Sequence, residues 1–169
     1  MSFASVSFLL FFLVVLLLLL LVQRVLPFAE IKRRIICQGI LLIASYVFYG
    51  WWNMRLCLLL MGITWISFFT AVKKDEKHLR QSRISLLIGV GTPLAVLGIF
   101  KYYDFFVTSF CEVFHLTPGV LNLILPVGIS FYTFQALSYT IDVYTGKIEK
   151  EKSFLQFALY LSFFPQLVA

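Results

Sequence analysis

The chain has 169 residues, of which 61% are hydrophobic and 13% charged, and Phe alone occurs 19 times. Soluble domains carry about a quarter charged residues, so the composition excludes a soluble fold, and apolar runs recurring along the whole length exclude a soluble domain with one anchor. The formal charge of +6 does not indicate nucleic acid, because the basic residues cluster between apolar runs, as in cytoplasmic loops beside anionic lipid. Cys37, Cys57 and Cys111 stand alone in or beside apolar runs. Without CxxC pairing or a neighbouring His they are expected to be buried hydrophobes, with neither a disulfide framework nor a metal site.

Residues 3–22 are uncharged and long enough for about 30 Å of helix, which spans a bilayer. Their start is neutral and Arg24, Lys32, Arg33 and Arg34 come afterwards, the reverse of a signal peptide. The run is expected to be a retained first helix with its amino end outside. Residues 35–52 form the second span and end in ASYVFYGWW, an aromatic girdle suited to the outer headgroup level. Arg55 marks the turn, residues 56–72 return as the third span, and KKDEKHLRQSR at 73–83 forms a second cytoplasmic loop.

Residues 84–100 are the fourth span, whose Gly89, Gly91, Pro93 and Gly98 permit close helix packing or a kink. FKYYDFF then resembles an outer interface. The next apolar piece, 105–116, reaches only about 18 Å as a helix and carries Glu112, so it is expected to lie in the interface or re-enter. Thr117, Pro118 and Gly119 make a turn. Pro126 suits the first turn of a helix over 126–144 that runs from outside to inside, and 153–169 begin another span. No repeat or linker divides 1–169, which reads as one unit. The fold class is all-α, a polytopic transmembrane helix bundle with a short interfacial or re-entrant segment.

Gln135, Ser138 and Asp142 fall at i, i+3 and i+7 in an apolar segment and share one helical face, with Gly128 and Phe131 extending the line. Two readings follow. Either Gln135 and Ser138 hydrogen-bond between helices while Asp142 caps or pairs with a nearby Lys, or the stripe lines a polar path for a substrate, with Tyr132 and Tyr139 on an adjacent face. Pro165 frees a backbone carbonyl beside the amide of Gln166, which predicts either a helix break lining a cavity or a simple kink. His78 lies in the basic loop and His115 beside a Thr-Pro-Gly turn. Neither has a local partner to position it as a general base.

LPVGISFYTFQALSYTIDVYTGK at 125–147 and FALYLSFFPQLVA at 157–169 resemble the membrane-bound O-acyltransferase family, in its bacterial branch around alginate O-acetylation. ASYVFYGWW and FKYYDFF are weaker echoes in the expected order. The resemblance implies transfer of an acyl group, acetyl rather than D-alanyl, from acyl-CoA or acyl carrier protein in the cytoplasm, through a tunnel, to a hydroxyl of an extracytoplasmic polysaccharide or other glycan. It implies no cofactor, a bacterial cytoplasmic (inner) membrane setting with lipid contact, and accessory acylation proteins as partners. The matched motif residues are Pro126, Gly128, Ser130, Tyr132, Gln135, Asp142, Pro165 and Gln166, implied to shape core and tunnel wall. The catalytic histidine of the family is expected beyond Ala169, after a Gly-Pro-Ile, so no catalytic residue is assigned and this part alone is expected to be inactive. The alternative from another class is part of a transporter for lipid-linked glycan or another amphipathic substrate.

Overall fold

The computed structural model describes residues 6–25, 30–72, 79–114 and 128–167, and the elements among them are all helical. They form two compact units, Met1–Thr64 with Glu151–Ala169, and Trp65–Lys150. Among the described residues, four helical stretches are long and apolar enough to cross a membrane: Val6–Arg24, Glu30–Trp51, Met54–Ala71 and Arg83–Phe114. The protein is an all-α polytopic membrane protein.

The first unit contains α1 (Val6–Val25), α2 (Glu30–Trp52), the first half of α3 (Met54–Val72), α7 (Phe154–Ser162) and α8 (Phe164–Leu167). Helix α1 is apolar on every side and, among its described residues, buries only Val15 and Val22, as expected of a helix solvated by lipid. Asn53 joins α2 to α3: its carbonyl accepts from the N–H groups of Leu56 and Cys57 at 3.1 and 3.2 Å, and its side chain accepts from Arg55 N at 2.9 Å. Both groups satisfy donors of the first turn of α3.

A cluster of phenylalanines closes this unit. The ring of Phe164 lies 5.5 Å from Phe11 and 5.6 Å from Phe48, and Phe8 lies 5.7 Å from Phe48, within the range of favourable aromatic pairs. Of the break and the kink expected at Pro165 in the segment 153–169, the structure shows the break. Helix α7 starts on Ser153, whose Oγ accepts from Gln156 N, and ends at Ser162 after nine residues, with Phe163 in an extended conformation (ψ 106°) before α8. In a continuous helix the ring of Pro165 would collide with the carbonyl of Leu161, four residues earlier, and would donate nothing to it.

The second unit contains the rest of α3, α4 (Leu79–Leu97), a π-helical turn (Gly98–Tyr102), α5 (Tyr103–Phe114) and α6 (Ile129–Thr145). Helices α4 and α6 pack together. Their approach depends on Gly89, where an added Cβ would lie 2.6 Å from Thr70 Oγ1 and 2.9 Å from Thr140 Cγ2. The apolar piece at 105–116, expected to lie in the interface or re-enter, is continuous up to Phe114 with α4 through the π-helical turn, whose flanking residues Leu97 and Tyr103 keep right-handed helical angles. The 32 residues of Arg83–Phe114 would extend about 48 Å, more than the roughly 30 Å of hydrocarbon.

Helix α6 begins one residue after Gly128, whose φ of 73° is left-handed and favours glycine. The helix thus starts at Ile129, and Pro126, expected in its first turn, lies outside the described residues. At the other end Gly146, also left-handed, donates to Val143 O at 3.2 Å, and Lys147 N donates to Asp142 O at 2.9 Å, closing the last carbonyls.

Candidate functional site

The buried face of α6 consists of Ile129, Tyr132, Thr133, Ala136, Leu137, Tyr139, Thr140 and Val143. Tyr132, Thr133 and Ala136 are completely enclosed. Thr140 Oγ1 donates to Ala136 O at 2.8 Å, which lets a hydroxyl enter an apolar contact without another helix as partner. Three buried polar atoms in this unit have no hydrogen-bond partner among the described residues: Thr133 Oγ1, Gln135 Oε1 and, on α3, Ser67 Oγ. Buried groups of this kind are rare and costly.

The polar stripe read from the sequence lies roughly a third of a turn away from this buried face. Gln135 is half-buried, with its Oε1 enclosed. Ser138 is exposed and bonds to Asp142 Oδ2 at 3.3 Å, so Thr133 and Thr140, rather than Ser138, carry the inward hydroxyls. Asp142 meets Lys147 at 3.6 Å across the helix end, the local pairing that the first of the two sequence readings anticipated. At the amino end, Lys101 Nζ donates to Ser130 Oγ at 3.1 Å and lies 5.4 Å from the ring of Tyr102. That contact brings the π-helical turn to the first turn of α6, where Gly128 offers no side-chain cap.

Pro165 and Gln166 belong to the other unit, where the chain break is lined by hydroxyls. Ser45 Oγ donates to Leu41 O at 2.8 Å and accepts from the buried Phe164 N at 3.2 Å. Tyr46 shares hydrogen bonds with Thr64 and Ser162, whose own hydroxyls donate to Leu60 O and Ala158 O at 2.7 Å each. Pro165 is half-buried, while Gln166 is exposed and donates its backbone N–H to Phe163 O at 3.0 Å. The sequence reading missed Ser45, Thr64, Thr133, Thr140 and Ser162. Their signal was small hydroxyls at helical spacing in apolar runs, the residues that let membrane helices approach. His78 and His115 lie outside the described residues.

The chain is 41% identical over 136 residues to the probable alginate O-acetylase AlgI of Pseudomonas aeruginosa, covering 77% of this chain and 26% of that protein. It is 40% identical over 136 residues to the same-named protein of Pseudomonas putida, covering 77% of this chain and 28% of the relative. The chain is thus a homologue of part of proteins named probable alginate O-acetylase, in keeping with the family resemblance of 125–147 and 157–169. The peptidoglycan O-acetyltransferase of Helicobacter pylori is 34% identical to it over 154 residues, covering 76% of this chain and 29% of that protein. The chain thus spans between a quarter and a third of the length of these relatives. No protein-family model matches it, and no solved structure does.

Proposed function

We propose that this chain forms part of a membrane O-acetyltransferase that moves an acetyl group from a cytoplasmic donor, acyl-CoA or acyl carrier protein, to a hydroxyl of an extracytoplasmic polysaccharide or glycan. The observation that carries the reading is the 41% identity to a protein named an alginate O-acetylase. The geometry of α6 supports it: the enclosed Gln135 Oε1 lacks a partner among the described residues, which suits a group that bonds to a passing substrate rather than to the fold. Tyr132, Gln135 and Ser130 shape the path wall in this reading, with Asp142 and Lys147 closing its inner end. Catalytic proton transfer requires a positioned base, which we assign to none of the described residues. Pro126, Gly128, Ser138, Pro165 and Gln166 shape the fold around the path.

We place the protein in the bacterial cytoplasmic membrane with its amino terminus outside, Arg24–Arg34 and the 73–83 loop inside, and Arg55 and Lys101 outside, as the positive-inside bias requires. Accessory acylation proteins act with it. Deleting the gene should remove O-acetyl groups from a cell-envelope glycan, and plasmid expression of the whole gene should restore them. Unchanged acetylation in the deletion would overturn the reading. Cysteine labelling of intact cells checks the orientation, and outside labelling of a Cys placed at Lys77 would reverse it.

A further inference from the structure

In the first unit a groove of about 480 Å³ lies between the amino-terminal ends of α2 and α7, large enough for a small amphiphile. Glu30, Arg34 and Gln38 line it at i, i+4 and i+8 along one face of α2, opposite Leu155 and Gln156 of α7. The amide nitrogen of Gln156, in the orientation that satisfies its neighbours, donates to Glu151 at 3.2 and 3.3 Å. Glu30 precedes Arg34 by four residues, the order and spacing in which such residues pair readily on a helix. Yet they form no ion pair with each other or with any described residue. A carboxylate and a guanidinium thus stand one turn apart on the same wall of an open groove, with no ion pair between them.

The groove lies where the charged flank of α2 gives way to its apolar run, and Ile31, Ile35 and Leu155 supply its apolar lining. Lys32 and Arg33 do not line it, so its charge is balanced, unlike that of the surrounding basic segment. A ligand matched to these features carries an anion and a cation a few ångströms apart and continues into an apolar tail. We propose that the groove binds the headgroup of a zwitterionic aminophospholipid, with the phosphate on Arg34 and Gln38 and the ammonium on Glu30. Arg–phosphate contact of this kind is charge-assisted and directional. The inference is independent of the acyl-transfer reading.

The test is native mass spectrometry of the purified protein with phosphatidylethanolamine and phosphatidylglycerol of matched acyl chains. Phosphatidylethanolamine should be retained in preference. Arg34→Gln should lower its retention by about fivefold or more, whereas Glu30→Gln should turn the preference toward phosphatidylglycerol, because an unopposed cation remains. Lys32→Gln, a charge on the same helix outside the groove, should change neither, and circular dichroism should be the same for all variants. Equal or stronger retention of phosphatidylglycerol by the parent would overturn the proposal in favour of a merely basic surface. Lipid loss from Lys32→Gln equal to that from Arg34→Gln would do the same, and displacement of the lipid by acetyl-CoA would reassign the groove to a soluble phosphate donor.

Discussion

Helices α1 and α6 are similar in length, 20 and 17 residues, and behave in opposite ways. Helix α1 is leucine-rich on every side and, of its described residues, encloses two. Helix α6 carries threonines, serines, tyrosines and a glutamine and encloses eight. In water the more apolar helix would be the buried one. In a bilayer the lipid tails solvate leucine as well as a protein interior does, so burial follows small hydroxyls and glycines that allow close approach and bond their own backbone. Apolarity marks the lipid-facing helix, and polarity within an apolar run marks the packed one.

The sharpest way to break this contrast is to crowd the packed side. Gly89→Leu forces a side chain into Thr70 and Thr140, where even a Cβ would lie at 2.6 and 2.9 Å. Destabilisation of about 3 kcal/mol or more is expected, measured as a lowered unfolding temperature in detergent. Gly89→Ala should cost less, and Thr70→Ala should recover part of that loss, since Thr70 Oγ1 is the nearest obstacle. Full additivity of those two changes would argue against the contact.

Ser45→Ala tests the hydroxyls at the chain break. It leaves the buried N–H of Phe164 without the oxygen it meets at 3.2 Å, and a cost of about 1–3 kcal/mol is expected. Unaltered stability would mean that the phenylalanine cluster alone holds α8.

Gln135→Leu separates fold from function. Removing an amide whose oxygen is enclosed without a partner among the described residues should leave stability unchanged or raise it. On the proposed function, acetylation in cells should nevertheless fall by about fivefold, roughly 1 kcal/mol of lost substrate contact, whereas Phe134→Leu at a site 59% exposed should change it little. Equal activity of both variants at equal expression would remove α6 from the path.

The smallest effects belong to surfaces. Asp142→Asn should cost under about 1 kcal/mol, because Lys147 is 71% exposed and such pairs are screened. Leu17→Ala in α1, at a site 54% exposed, should shift unfolding within about 0.5 kcal/mol. An enclosed leucine would cost about 2–5 kcal/mol, so a loss of that size at Leu17 would show that α1 is covered by protein rather than lipid.

The sequence by itself determined the membrane class and the positions of the long apolar helices, because hydrocarbon length and the cost of polar groups in lipid act directly on residue type. It also located the disturbance at Pro165, since a missing N–H is a local property. It left three matters open. Whether the chain breaks after Phe100 or passes on as a π-helical turn depends on packing beyond residue order. Pro165 ends a helix at Ser162 rather than merely bending it because Ser45 accepts the freed Phe164 N–H, 119 residues away. Which face of α6 turns inward was decided by Gly89 opening space for Thr140, and therefore by a second helix. Periodicity defines a stripe on a helix, and only the neighbour that packs against the helix chooses which stripe is buried.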